Sequence, residues 1–215
     1  MLLLAVDTSG RQGGITLARG DGQGIAILES AAIAGGTFSA ELVPQVADLL
    51  SKHGLTAGDL EAIVAVTGPG SFTGLRVGLS AVKGLSEALS LPIAAVTSLE
   101  VLIAASGKDS LLALLDAGRG EVYAGVKNRE SRDECLVSVE EARQMAKNRG
   151  LPIVVADAAL AAKLESAELL TYCSSEVAAR LGLKKLLAGE TVDVLALDAN
   201  YIRKSEAEYL QKTKR

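Results

Sequence analysis

Three short stretches carry residue types that could hold a phosphate, a cation or a partner. The first, Ala5-Val6-Asp7-Thr8-Ser9-Gly10, closes an apolar run with one carboxylate and two hydroxyls. At the end of a strand such groups can face a phosphate or a magnesium ion. The same residues also make an ordinary Asx or ST turn, the simpler reading of this stretch taken alone. The second, Leu114-Leu115-Asp116-Ala117-Gly118, is another apolar run ending in an aspartate, with a glycine two places on. The third is the richest, running Thr67-Gly68-Pro69-Gly70-Ser71-Phe72-Thr73-Gly74-Leu75-Arg76-Val77-Gly78. Its glycines and proline permit positive φ and close backbone approach, and the first amides of the helix that follows carry partial positive charge. No Gly-Lys-Ser/Thr closes it as a Walker loop, and the GxGxxG spacing of a dinucleotide site is missing. Two uses remain. Either Gly74 and Gly78 form one smooth face against which another helix packs, or the helix start binds an anion. Packing or protein contact is the preferred reading. In the other, Asp7, Thr8, Ser9, Gly68, Gly70, Ser71, Thr73 and Asp116 are the anion- or nucleotide-facing set.

Other chemistries are excluded by what the sequence lacks. His53 is the sole histidine, so no two-histidine metal site can be built within the chain. It precedes Gly54 and reads as a helix-end or surface residue. There is no GxSxG elbow and no supported cysteine–histidine arrangement. Glu140-Glu141 and Glu206/Glu208 read as solvated helix faces. No catalytic residue and no metal ligand is therefore expected. Cys135 and Cys173 have no ligand spacing and are expected to be reduced thiols. The net charge of −4 argues against autonomous nucleic-acid binding, which needs a basic surface, and Lys212-Thr213-Lys214-Arg215 reads as a solvated tail. No apolar run approaches the roughly 20 residues that span a bilayer, and Asp7 follows Met1 too soon for a signal peptide. A cytoplasmic protein without membrane contact is expected.

The elements that must position these stretches follow from hydrophobic period and turn signals. Residues 2–6, about 13–19 and about 24–31 read as a three-strand meander turning at Gly20-Asp21-Gly22. From Ser39 the period becomes helical, with Leu42, Val43, Val46, Leu49 and Leu50 on one stripe and Gly54 at the stop. A strand at 62–66, a helix at about 72–89 and a strand at 93–96 follow. Thr97-Ser98-Leu99-Glu100 fits a capping box that opens a connecting helix. The plan then restarts, with strands at 111–115 and 121–127 and a helix capped by Ser138 and Glu141. A strand at 153–156, a helix from Ser174 or Ser175 to Leu187 and a final helix from about Arg203 complete it. This predicts two α/β lobes of mixed sheets flanked by helices, residues 1–103 and 104–215, with the last helix packing back on the first lobe. Two aspartate turns, one opening each lobe, resemble the paired phosphate loops of the actin-like superfamily. Beyond Leu151 the only glycines are Gly182 and Gly189, unpaired, so the adenosine side of such a site looks incomplete.

Three blocks then resemble the bacterial TsaB (YeaZ) family: Leu4-Ala5-Val6-Asp7-Thr8-Ser9, Gly68 to Arg76, and Asp116-Ala117-Gly118-Arg119-Gly120-Glu121-Val122-Tyr123. The ending Tyr201-Ile202-Arg203 fits as well. The resemblance implies a two-lobed actin-like (ribonuclease H-like) fold and a role in making threonylcarbamoyladenosine on tRNA. In that family's pathway TsaD carries the metal and performs the transfer, TsaB binds and supports TsaD, and the ATPase TsaE is a third partner. By resemblance the helices at about 39–53 and 72–89 form the face that meets TsaD or a second copy, with Leu42, Val46, Leu50, Phe72, Arg76, Val77, Ser80 and Lys83 on it. tRNA is met only through the complex, the isolated chain needs no cofactor, and ATP, ADP or metal belong to the assembly. A glycoprotease-type metallopeptidase and a small actin-like phosphotransferase are the alternatives. One departure stands out: Phe38 sits six before Pro44, where the family often has a histidine.

Overall fold

The computed structural model of the chain describes residues 1–127, 132–164 and 166–202. The final helix expected from about Arg203, and the basic tail, lie outside them. In chain order the elements are β1 (Leu2–Asp7), β2 (Gln12–Asp21), β3 (Gly24–Ala34), α1 (Phe38–Lys52), β4 (Ala62–Val66), α2 (Phe72–Leu89), β5 (Ile93–Val96) and α3 (Ser98–Ser106). They continue with β6 (Leu111–Gly118), β7 (Glu121–Lys127), β8 (Arg132–Ser138), α4 (Val139–Arg149), β9 (Ile153–Val155), α5 (Ala158–Ala161), β10 (Glu168–Leu169) and α6 (Ser174–Leu187).

The strands form two five-stranded sheets, ordered β3-β2-β1-β4-β5 and β10-β9-β6-β7-β8. In each, a three-strand antiparallel meander offers the free edge of its first strand to two further parallel strands. The two sheets thus repeat one topology, and the fold is two-lobed α/β. β8, not expected from the sequence, fills in the second meander, and β10 is a two-residue edge.

β1 reads Leu-Leu-Leu-Ala-Val and β4 Ala-Ile-Val-Ala-Val because both are covered on both faces, as parallel-paired central strands must be. The strand period of two splits β1: Leu2, Leu4 and Val6 meet the core under α1 and α2, while Leu3 and Ala5 meet the core under α6. α6 comes late in the chain yet packs on the first sheet, with Ala178, Ala179, Leu183 and Leu186 buried there. Gly182 lets it approach so closely that a Cβ would collide with the Val64 methyls. A buried hydroxyl pair, Thr16 Oγ1 to Ser175 Oγ at 2.7 Å, joins the same helix to β2. Beyond α6 the chain returns along the first sheet, pairing Val192 with Ile93 and burying Leu197 in its core.

Both expected capping boxes are present. Thr97 accepts from the Glu100 amide while Glu100 accepts from the Thr97 amide at 2.8 Å, and Ser138 and Glu141 repeat the arrangement.

Because Gly182 faces Val64 with no room for a methyl group, Gly182→Ala should lower the unfolding free energy by about 1–3 kcal/mol. A urea midpoint that falls at unchanged m-value, with part of the loss recovered in the Val64→Ala background, is the expected readout.

Candidate functional site

The site begins where β1 ends. Asp7 is 4% exposed, and its Oδ1 accepts the Ser9 amide at 2.8 Å, closing an Asx turn. The glycine-rich stretch lies directly on this turn. The Ser71 amide donates to the Ser9 carbonyl at 2.6 Å, and Ser71 Oγ caps α2 by accepting from the Gly74 amide at 3.2 Å. A Cβ at Gly70 would meet the Ser9 carbonyl, one at Gly74 the Thr8 carbonyl, and one at Gly78 the Thr8 hydroxyl. Gly74 and Gly78 lie on one face of α2, as expected, and Gly70, just ahead of the helix, continues the stripe. What packs against the stripe, however, is the Asp7–Ser9 turn rather than another helix. Phe38, at the start of α1, places its ring against Gly13 and Gly74 and is 4% exposed, so it completes this packing.

Between the two sheets lies a cleft of about 1130 Å³. It brings together Asp7, Ser9, Gly70, Ser71, Thr73 and Asp116 of the expected anion-facing set. Two members of that set are elsewhere. Thr8 is buried beneath α2, and Gly68 is turned toward α3, its carbonyl accepting the Ser98 amide at 2.7 Å. Asp116 is exposed, with Oδ1 accepting from the Gly118 amide at 3.1 Å.

Sequence reasoning missed three residues of the lining. Asp157 caps α5 and adds a third carboxylate. Ser98 is 8% exposed, and its Oγ has no hydrogen-bond partner among the described residues. Tyr172 packs on the cores of both sheets, and burial, followed by the nearby Asp7 carboxylate, raises its phenol above the ordinary tyrosine value. No local sequence signal marks Tyr172. The α2 start can receive an anion, but three carboxylates oppose one unless a cation bridges them. Among the described residues no three histidine, cysteine or acidic side chains converge as metal ligands. His53 caps α1 and sits 3.0 Å from Glu29, outside the cleft lining.

The helices α1 and α2 show which expected partner-face residues are available. Leu42, Val46 and Leu50 are 2%, 5% and 3% exposed, so they are not surface residues. Their stripe is the face by which α1 packs on its own sheet. The outer face of α1 instead carries Ala40, Val43, Pro44 and Ala47. On α2, Phe72, Arg76 and Ser80 are exposed, and Val77 and Lys83 are half-buried. The Arg76 guanidinium stacks 3.8 Å from the Phe72 ring centroid.

A family model described as TsaD, tRNA N6-adenosine threonylcarbamoyltransferase, matches residues 31–197. The chain belongs to that family. Within it the chain is of the TsaB/YeaZ type. It is 41% identical over 129 residues to the tRNA threonylcarbamoyladenosine biosynthesis protein TsaB of Bacillus subtilis, covering 59% of this chain and 55% of that one. The TsaB of Haemophilus influenzae is 31% identical over 135 residues, covering 60% and 55%. The Escherichia coli TsaB is 36% identical over 86 residues, covering 38% and 37%. The chain therefore matches about half the length, or less, of these curated relatives. In fold it is similar to YeaZ from Pseudomonas aeruginosa, with a TM-score of 0.74 at 24% identity, covering 93% of this chain and 100% of that one. A second Pseudomonas aeruginosa structure, of a protein with similarity to peptidase YEAZ, gives 0.77 at 24% identity, covering 94% and 99%. Among the described residues of this TsaB/YeaZ-type chain, no helix is long and apolar enough to cross a membrane.

Two outcomes test the site's construction. Gly78→Ala should destabilise the chain by about 1–3 kcal/mol, and Thr8→Ala in the same chain should recover part of it, since the added methyl meets the Thr8 hydroxyl. The second concerns alkaline pH. The folded Tyr172 holds its proton above the unfolded value of about 10, so its contribution is fully present below that pH and is lost as pH rises through the folded value. Denaturation at about pH 9 and about pH 11 should show stability falling, with a smaller fall in Tyr172→Phe.

Proposed function

We propose that this chain is a non-catalytic subunit of tRNA threonylcarbamoyladenosine synthesis that pairs with a TsaD-type protein through the outer faces of α1 and α2. The observation that carries this is Gly84. It lies in the middle of α2, and among the described residues nothing stands within 4 Å of a Cβ built on it. A glycine inside a helix costs about 1 kcal/mol relative to alanine. Gly74 and Gly78 are explained by the turn they sit on; Gly84 has no such reason among the described residues. A partner backbone approaching α2 supplies one.

The surface around Gly84 suits that use. Ala40, Val43, Pro44 and Ala47 on α1, with Phe72, Ser80 and Ala88 on α2, give a mostly uncharged face of small side chains with one aromatic. Val43 is 60% and Phe72 48% exposed. Arg76, Lys83 and Glu87 border it. Such a composition matches the core of a protein interface more than a solvated helix pair. The chain's single histidine, paired with Glu29 at the surface, supports leaving metal-dependent chemistry to the partner. In this reading the chain needs no cofactor of its own, and ATP or ADP, metal and tRNA are engaged by the assembly. TsaE joins as a third component. A second copy of the chain uses the same face when TsaD is absent. The protein works in the cytoplasm. The cleft residues Asp7, Ser9, Gly70, Ser71, Thr73 and Asp116 face any anion that the assembly places between the lobes together with a bridging cation.

Reconstituted threonylcarbamoyl transfer to tRNA should depend on adding this chain, and no effect of its omission would overturn the reading. Gly84→Ala should stabilise the isolated chain by about 0.5–1 kcal/mol, yet weaken its binding to TsaD. If the variant gained stability and kept full affinity, Gly84 would lose its role in the interface.

A further inference from the structure

The segment after α6 touches both sheets and reaches α2. Its backbone first joins the edge of the first sheet, where the Val192 amide donates to Ile93 O at 2.9 Å. Leu197 then anchors it in the core at 1% exposure. At Asn200 it reaches the glycine-rich turn, with the Asn200 amide donating to Thr67 O at 2.7 Å. The Asn200 side chain points the other way, and its Nδ2 donates to Glu134 Oε2 at 2.8 Å. Glu134 belongs to β8 in the second sheet, and its other oxygen, Oε1, accepts from the Thr97 hydroxyl. Thr97 precedes Ser98, whose amide holds Gly68 O at 2.7 Å. One carboxylate thus binds both segments that grip Thr67 and Gly68, the first two residues of the turn.

The residue after Asn200 is Tyr201. Its ring centroid lies 5.4 Å from that of Phe72, at an interplanar angle of 43°. Arg76 Nε points at its hydroxyl at 3.4 Å. On its far side Ile202 packs against the buried cluster that contains Leu99, Leu102 and Leu111. Tyr201 is therefore fixed on both sides while its own side chain stays 41% exposed.

We infer that residues 190–202 are a strap that makes Tyr201 part of the partner-binding face, and that Glu134 is a positioning residue that clasps the strap. The inference rests on the reading of the chain as a TsaD-binding subunit. Three features support it. Tyr201, Phe72 and Arg76 are of the residue types that dominate interface energetics when held in a packed cluster. They are ordered before any partner arrives, so less conformational freedom is lost on association. Glu134 accepts from two donors on different segments, a geometry that its carboxylate satisfies and that a single reversed partner breaks.

That polarity supplies the test. Asn200→Asp sets two carboxylates against each other. Adding Glu134→Gln restores a donor: the new amide donates to the new carboxylate while its carbonyl oxygen still accepts from Thr97. Affinity for TsaD should fall about tenfold or more in Asn200→Asp and in Tyr201→Ala, and return to within about threefold of the unmutated chain in the double variant. Circular dichroism melting keeps folding separate from binding, because Tyr201→Ala removes an exposed ring and should leave the melting temperature nearly unchanged. Unchanged affinity in Asn200→Asp, or a loss that Glu134→Gln does not repair, overturns the clasp. Unchanged affinity in Tyr201→Ala overturns its place on the face. Failure of the unmutated chain to bind TsaD overturns the subunit reading instead.

Discussion

The seating of α2 on the Asp7–Ser9 turn sets the geometry of everything around it. Backbone meets backbone there because Gly70, Gly74 and Gly78 have no side chains to hold the surfaces apart. The two of these glycines inside the helix, Gly74 and Gly78, sacrifice roughly 2 kcal/mol of helix propensity. The loss is offset on the same helix, where Leu75, Leu79 and Val82 are buried. Once the stripe is seated, the helix cannot rotate. Phe72, Arg76, Ser80 and Gly84 are turned outward, and the Ser71 end is aimed into the cleft.

The same contact explains why a motif that looks like a phosphate loop behaves as structure. In a phosphate loop the close approach permitted by glycine is used by the ligand. Here the chain's own turn occupies it, with Ser9 O taking the Ser71 amide that a phosphate oxygen would otherwise seek. Asp7 is likewise committed, through Oδ1, to closing its own turn. The lobes are then joined by a polar seam. Lys185 on α6 binds Glu100, Glu100 completes the Thr97 capping box, Thr97 reaches Glu134, and Glu134 holds Asn200. A seam of this length, crossing from α6 to β8, favours one fixed arrangement of the two sheets over a hinge.

Much of this was legible in the sequence because it depends on local pattern. The buried strands β1 and β4, the start of α2 and both capping boxes follow from hydrophobic runs and from Ser or Thr three residues ahead of Glu. β8 is hidden in the sequence because Arg132, Asp133 and Glu134 mask its alternation, as charges do on many edge strands. Leu42, Val46 and Leu50 are buried against their own sheet rather than on a partner face, and the sequence hides this for a general reason. A periodic stripe shows that one face of a helix is apolar, but not whether its own core or a partner covers it. The glycine stripe of α2 posed the same problem, since spacing names the face and not its neighbour. Asp157 and Tyr172 join the cleft only through tertiary placement, which no neighbouring residue announces.

α6 has a consequence for how the chain comes into being. It covers the back of a sheet whose first strand precedes it by most of the chain, and it packs on Leu3, Ala5, Ala62 and Val64 on that side. During synthesis the first sheet can assemble its front, under α1 and α2, long before residues 174–187 leave the ribosome. Until then it presents an apolar back to solvent, so long-range closure by α6, rather than completion of the first lobe, is the event that ends its exposure to aggregation and to proteases.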